Sequence, residues 1–188
     1  MTQLLRALAA AALAVGGPAF AWAQSEPQPL TLERAADVAY IVRGIVQYTR
    51  WTPPQMPVRL CLSDALDAAA EAAFVRAVAD PKDGAPIAIS VSSRRLTPGA
   101  PIDAAECHVV LVNSGAPMQW RGLLLGVLDR PVLTIGFDEE FCSLGGMFCL
   151  DNANGRLQIR ANLDSISRSG MRINPQLLRL TQQRNAAK

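Results

Sequence analysis

Two hydrophobic periods alternate along this chain, and they separate predicted helices from predicted strands. After Thr31, a plausible N-cap, apolar side chains recur every three to four residues between Leu32 and Val46. This spacing predicts a helix that ends near Trp51, because Pro53-Pro54 cannot continue it. The same period and the positions of Gly and Pro predict further helices over residues 64–79, 117–128, 164–169 and 175–183.

Short aliphatic runs between these helices predict strands, which cover residues 58–62, 87–91, 108–112, 132–135, 146–150 and 157–161. Asn154-Gly155 separates the last two runs and is a strong hairpin signal. Residues 96–106 are rich in Pro and Gly and predict a loop. Strands that alternate with helices predict an α/β fold, a single-domain sandwich whose mostly parallel or mixed sheet is flanked by helices.

Residues 1–23 have the pattern of a secretory signal peptide. Arg6 supplies a positive charge, and an apolar run extends to Val15. Ala21-Trp22-Ala23 fits cleavage before Gln24, and Ala19-Phe20-Ala21 is a second possible site. The apolar run is shorter than the roughly 20 residues that span a bilayer, so we expect export and no direct membrane insertion. Residues 24–30 are then a flexible N-terminal arm, 31–183 the folded domain and 184–188 a tail.

Composition excludes several classes of protein. The chain has 188 residues, of which 50% are hydrophobic and 18% charged, and a formal net charge of +2. A sequence with this many hydrophobic residues is not intrinsically disordered. The small excess of positive charge argues against nucleic-acid binding. The single histidine leaves little room for a histidine-based metal site or proton relay.

All four cysteines, Cys61, Cys107, Cys142 and Cys149, follow the predicted signal peptide. An even number in an oxidising compartment indicates disulfides, and four cysteines allow three pairings. The Gly145-Gly146 segment would let the chain reverse between Cys142 and Cys149, and that pairing would leave Cys61 for Cys107. No two cysteines have the Cys-x-x-Cys spacing of a thiol oxidoreductase, so structural or redox-sensing bridges are favoured.

Three other motifs favour structural roles over chemistry. His108 begins a buried strand, and no nucleophile motif accompanies it. Asp138, Glu139 and Glu140 are typical of a solvated loop or a helix start. Gly145-Gly146 lacks the pattern of a phosphate-binding loop and predicts a turn beside a disulfide. We therefore expect no catalytic residue, metal site or cofactor.

Four arginines, Arg43, Arg50, Arg172 and Arg179, lie near the helices of the two chain ends. If those ends pack together, two of the arginines would form a shallow site for an anion or a partner, because guanidinium groups bind carboxylates and phosphates bidentately. Solvated surface arginines are the alternative. Apolar residues of the last segments, including Ile166 and Ile173, are core candidates. Short terminal helices rarely bury every apolar side, so an exposed docking patch formed by part of this set is the alternative.

Several segments, in order and spacing, resemble the YfiR-like family of periplasmic regulators between about Val38 and Leu180. The opening helix up to Trp51 is similar to the first helix of that family. The other matching segments are Val58-Arg59-Leu60-Cys61, Cys107-His108-Val109-Val110-Leu111-Val112, Pro131-Val132-Leu133-Thr134-Ile135, Gly145-Gly146-Met147-Phe148, Arg156-Leu157-Gln158-Ile159-Arg160-Ala161-Asn162-Leu163, Gly170-Met171-Arg172-Ile173 and Leu177-Leu178-Arg179-Leu180.

The resemblance implies a periplasmic α/β protein without catalytic activity. Such a protein binds the periplasmic sensing domain of an inner-membrane diguanylate cyclase and represses it, which lowers cyclic di-GMP and restrains biofilm formation. The resemblance also implies the bridges Cys61–Cys107 and Cys142–Cys149, a stability that depends on redox state, and the capacity to form a homodimer.

A repressor of this kind needs an exposed patch with higher affinity for one state of its partner. We expect Arg50, Ile166, Arg172 and Ile173 to lie in or near that patch as partner-binding or anion-binding residues. The alternative is a periplasmic module that senses a small anionic ligand and acts on a membrane signalling partner. An enzyme such as a thiol exchanger is the third hypothesis.

Overall fold

The computed structural model describes residues 30–63, 67–80, 89–96, 102, 105–113, 117–153 and 156–179. The predicted signal peptide, the arm up to residue 29 and the tail at 184–188 lie outside these residues. The strands are β1 (Thr49–Arg50), β2 (Val58–Ser63), β3 (Ile89–Leu96), β4 (Val109–Leu111), β5 (Leu133–Gly136), β6 (Phe148–Ala153), β7 (Arg156–Ala161) and β8 (Arg172–Ile173). The helices are α1 (Ala35–Tyr48), α2 (Ala68–Ala79), α3 (Pro117–Val127), α4 (Glu139–Ser143) and α5 (Leu163–Arg168), followed by a 3₁₀ helix at Pro175–Arg179.

Six strands form one mixed sheet in the order β3-β2-β4-β5-β6-β7. The first five are parallel, and β7 joins antiparallel through the predicted hairpin with β6. Helices cover both faces, as expected when parallel strands are connected by helical crossovers. The predicted α/β sandwich with a mixed sheet is therefore confirmed.

Alternation along the strands divides the core into two layers. Leu60, Val109 and Leu111 point to the face covered by α1 and α2. Cys61 and Val110 point to the opposite face, where α3 and α4 pack. Because successive strand side chains point to opposite faces, strands buried on both sides are almost continuously apolar, as the sequence is here.

The first helix differs from its prediction at both ends. It begins at Ala35 after a turn in which the Arg34 amide donates to the Thr31 carbonyl at 3.1 Å, so the predicted N-cap at Thr31 is wrong. It ends at Tyr48 because the next two residues pair with β8 instead of continuing the helix.

Other boundaries move for similar reasons. Helix α2 begins after Asp67, whose carboxylate accepts hydrogen bonds from the amides of Ala69 and Ala70, both at 3.0 Å. Strand β3 extends to Leu96, beyond the predicted end at residue 91, because pairing with β2 continues along it. Three elements, β1, α4 and β8, had no counterpart in the predicted set. The predicted last helix is a 3₁₀ helix over its described part.

Within the described ranges, no helix combines the length and the apolar character needed to span a membrane.

Candidate functional site

Two disulfides join elements of the sheet. Cys61–Cys107 links β2 to the segment just before β4, and the Cα–Cα distance is 5.7 Å. Cys142–Cys149 links α4 to β6, with a Cα–Cα distance of 5.9 Å. Both distances lie in the usual range for disulfides, and both bridges match the pairing implied by the family resemblance. The bridges cross-link neighbouring parts of one rigid scaffold.

The loop closed by the second bridge is shaped around Phe141. The Phe141 ring is 2% exposed and lies against the backbone at both Gly136 and Gly146. Gly145 has a φ of +114°, a value that favours glycine, and the Gly146 amide donates to the Phe141 carbonyl at 2.9 Å. The prediction that these two glycines form a turn beside a disulfide is confirmed.

Strands β1 and β8 form a separate two-stranded ribbon, which brings the two chain ends together. In its antiparallel register, Arg50 lies opposite Arg172 and Thr49 opposite Ile173. The Asn174 amide extends the pairing by donating to the Tyr48 carbonyl at 2.9 Å. The conditional prediction that the two ends pack with two arginines together therefore holds for Arg50 and Arg172.

An open groove of about 530 Å³ lies along this ribbon. Its lining residues are Gln47, Tyr48, Arg50, Arg172, Ile173, Asn174 and Pro175. Both arginine side chains are exposed, and in the described part of the chain no carboxylate forms an ion pair with either of them. Like charges directly opposite on paired strands repel, so an anion placed between them would stabilise the ribbon.

The ribbon is fixed by contacts of β1 and of the residue that follows it. The Thr49 hydroxyl donates to the Ile45 carbonyl at 2.7 Å, which ties β1 to the end of α1. The Trp51 indole nitrogen donates to the Pro131 carbonyl at 3.0 Å, which ties the residue after β1 to the segment that leads into β5. The groove is thus held on a rigid support, as a recognition surface requires.

Ile166 lies beside this groove but does not line it. It is half-buried on α5 and packs against the core that α1 and α2 share with the sheet. The Ser169 hydroxyl donates to the Ile166 carbonyl at 2.7 Å, and Gly170, with a φ of +71°, turns the chain into β8. The structure therefore brings Arg50, Arg172 and Ile173 into one groove and places Ile166 on the adjoining helix.

The other two arginines of the predicted set lie elsewhere. Arg43 donates to the Asp80 carbonyl and joins α1 to the end of α2. Arg179 is exposed at the end of the 3₁₀ helix and does not line the groove. Neither belongs to the site formed by the ribbon.

His108 is 3% exposed, and its contacts support the structural role predicted for it. Its Nδ1 accepts a hydrogen bond from the Arg59 amide at 3.1 Å, and its Nε2 lies 2.7 Å from an Arg59 guanidinium nitrogen. Burial, and secondly the charge of Arg59, lower the pKa of the imidazole. A neutral His108 therefore links β2 to the segment that carries Cys107.

The acidic run predicted as a loop surface or a helix start begins α4. The Asp138 carboxylate accepts from the Phe141 amide at 2.5 Å and caps the helix. Glu139 forms an ion pair with Arg160 at 2.7 Å, and Arg160 also reaches Asp151 at 3.2 Å. The Glu139–Arg160 ion pair therefore joins α4 to β7.

Four groove residues were not among the predicted site residues. Gln47 and Tyr48 belong to the last turn of α1, and Asn174-Pro175 had been interpreted only as a helix start. No local pattern marks them, because the groove arises from pairing between segments more than 120 positions apart in sequence. The polar side chains of Gln47 and Tyr48, at the end of a mostly apolar helix, are the available signal.

Together, the fold and the ribbon define a class of protein: a disulfide-linked α/β domain with an open groove lined by two arginines. Comparison with protein families then gives the particular family. A family model described as YfiR/HmsC-like matches residues 36–182, and the chain belongs to this family. The resemblance found in the sequence is thereby confirmed.

The YfiR-like family is a family of periplasmic regulators, and membership suggests a regulator of a diguanylate cyclase. The two disulfides fit the oxidising conditions of that compartment.

Proposed function

We propose that this protein is a periplasmic repressor that binds the sensing domain of an inner-membrane diguanylate cyclase and holds the enzyme inactive. It has no catalysis of its own in this proposal, and it lowers cyclic di-GMP and restrains biofilm formation by binding alone. The observation that carries the proposal is the family match over residues 36–182. Release of the repressor would restore cyclase activity.

The ribbon and α5 are the proposed contact surface. Arg50 and Arg172 supply two exposed cations, and Ile173 and Ile166 supply half-buried apolar surface beside them. An interface that combines arginines with apolar anchors matches the residue types that dominate binding energy in protein complexes. Repression also requires a higher affinity for the inactive state of the cyclase than for its active state.

The disulfides support this surface indirectly. Cys142–Cys149 fixes α4, and the Asn162 side chain, which caps α5, donates to the Cys142 carbonyl at 2.8 Å. Reduction of this bridge would loosen α5 and the start of β8 before the rest of the sheet. We therefore propose that the repressor binds its partner more tightly in the oxidised state.

Affinity capture from solubilised membranes tests the proposal. The oxidised protein is expected to retain a membrane-bound diguanylate cyclase, and the reduced protein to retain less of it. Addition of the oxidised protein to that cyclase in vesicles, on the periplasmic side, should lower cyclic di-GMP synthesis. Recovery of no membrane signalling protein, or binding without loss of synthesis, would refute repression.

A charge reversal locates the contact surface. Arg172→Glu should weaken capture at least about tenfold, because it removes one cation and opposes the partner's charge. Arg156→Glu, the same change at an exposed position on β7, is the matched control and should retain wild-type affinity. Equal affinity for both variants and the wild type would remove Arg172 from the interface.

A second function is favoured by the opposed arginines of the groove. In this alternative, the groove binds a small carboxylate or phosphate ligand, and the bound ligand modulates the membrane partner. Titration calorimetry with inorganic phosphate and with simple carboxylates tests it, and Arg50→Gln combined with Arg172→Gln should abolish any heat of binding. Binding that survives this double change would place the ligand elsewhere.

A further inference from the structure

A second open groove, of about 640 Å³, lies between helix α2 and strand β3. We call it the α2–β3 groove, and it shares no lining residue with the groove of the ribbon. Its lining residues are Ala68, Glu71, Ala72, Val75, Arg76 and Val91. Four of these six side chains are alanine or valine, so the groove combines an apolar surface with two charged residues.

Helix α2 contributes one face to the core and a different face to this groove. Phe74 and Val78 are buried in the core. At about 100° per residue, Ala72 and Val75 lie on a neighbouring face of the helix, where Ala72 is exposed and Val75 half-buried. The groove face is thus not used for folding, and its alanines leave the space beside β3 open.

The other wall of the groove is an edge strand. Strand β3 is the first strand of the six-stranded sheet, and within the described ranges β2 is the only strand that pairs with it. Its outer edge therefore presents backbone amides and carbonyls without partners in this part of the chain. Val91, which is half-buried and packs against the core, joins this edge to the groove.

We propose that the α2–β3 groove binds an extended segment of a partner protein. The segment adds to the outer edge of β3 as a further strand, and its backbone hydrogen-bonds to that of β3. Because alternate side chains of a strand point to the same face, every second side chain of the segment enters the groove beside α2. The apolar lining selects apolar side chains at those positions. This inference does not depend on the proposed function.

Charges around the groove favour an acidic segment. The Arg76 Nε donates to the Ala72 carbonyl at 3.2 Å, which holds the guanidinium group beside the groove. Strand β3 contains two further arginines, Arg94 and Arg95, whereas Glu71 is the single acid among the lining residues. A segment with acidic residues between its apolar ones complements this charge. A second copy of β3 would add arginines instead, and like charges on paired strands repel.

A register shift limits the length of the added strand. Pairing of β3 with β2 is regular from Ile89 to Ser92 and resumes at Arg95. An irregularity of this kind bends and twists the strand, so we expect only about four residues of β3 to pair with the segment. So short a pairing predicts reversible binding, with a dissociation constant between about 1 µM and 1 mM.

Fluorescence anisotropy with a labelled peptide tests the proposal. The probe has about six residues and alternates valine with glutamate. The oxidised protein should bind it in the stated range, and should bind a probe that alternates valine with lysine at least about tenfold more weakly. Two further probes carry N-methyl groups on the valine amides only or on the glutamate amides only. Because the amides of alternate residues face the same edge of a strand, one of these probes should lose binding and the other retain it.

Two variants locate the binding surface. Ala72→Trp should fill the groove, and Arg76→Glu should repel the acidic probe, so each should raise the dissociation constant at least about tenfold. Ala69→Trp and Arg121→Glu are the matched controls, because both residues are exposed on helices and neither lines the groove. Both controls should leave the dissociation constant unchanged. Thermal unfolding of each variant monitors the fold.

Several results would overturn the proposal. One is the absence of binding of the valine–glutamate probe up to about 1 mM protein. Another is binding that survives both methylations, because such binding does not use the edge of β3. A third is binding that neither Ala72→Trp nor Arg76→Glu weakens. Affinity for N-acetylvaline equal to that for the probe would make the groove a small-molecule site instead.

Discussion

Replacement of Gly146 by alanine should destabilise the protein through Phe141. A Cβ at position 146 would lie 2.2 Å from two carbons of the Phe141 ring and 2.8 Å from the Phe141 carbonyl oxygen. Carbon atoms normally pack at about 3.5–4.0 Å, so the overlap exceeds about 1 Å. The ring cannot swing aside, because it is 2% exposed and it also lies against Gly136.

The carbonyl oxygen is equally constrained, since it accepts the hydrogen bond from Gly146 itself at 2.9 Å. Overpacking of this kind costs about 1–3 kcal/mol of unfolding free energy. Gly126→Ala is the matched control, because an added Cβ there meets nothing within 4 Å. On an exposed helix, that change should stabilise by about 0.5–1 kcal/mol.

Equilibrium unfolding in urea, followed by tryptophan fluorescence, measures both variants. The oxidised protein is used at a low concentration, and mass spectrometry verifies both disulfides. The two free energies should differ by about 1.5–4 kcal/mol in the stated direction. A Gly146→Ala variant as stable as the wild type would show that the packing around Phe141 is less tight than the structure indicates.

Two further predictions concern the bridges and the histidine. Replacing Cys61 and Cys107 by alanine should cost about 4 kcal/mol, against about 2.4 kcal/mol for Cys142 and Cys149, because the sequence separations are 46 and 7. Equal losses of unfolding free energy for the two variants, measured in urea, would contradict this difference. Because burial lowers the pKa of His108, stability should be full above its ordinary value of about 6.5 and should decline as the pH falls below it. His108→Asn should reduce that decline. An unchanged pH profile of the unfolding free energy would refute the assignment of the decline to His108.

Local patterns predicted the main sheet well. The hairpin of β6 and β7 follows from two alternating runs around Asn154-Gly155, and the buried parallel strands follow from short aliphatic runs. These elements are set by side-chain periodicity and turn residues, which are properties of neighbouring residues. Their boundaries shifted by a few residues where strand pairing or capping decided them, as at Asp67.

The candidate site was predicted only on the condition that the two chain ends pack together. Sequence reasoning placed Arg50 and Arg172 together if the chain ends packed, but it could not establish the packing or the register. It also placed Ile166 in or near the same patch, and the structure places it on the adjoining helix, whereas the groove itself is lined by Ile173 and by residues at the end of α1. Strand β8 has only two residues, too few for any periodic signal.

The sequence by itself determined the α/β class, the helices and strands of the main sheet, and the family resemblance that the comparison confirmed. Tertiary structure alone decided that Arg50 faces Arg172, that Phe141 fills the space left by two glycines, and that Leu125 remains outside the core. The physical reason is separation along the chain. Periodicity and turn chemistry act over a few residues, whereas register, close contact and exposure depend on which distant segments share the same space.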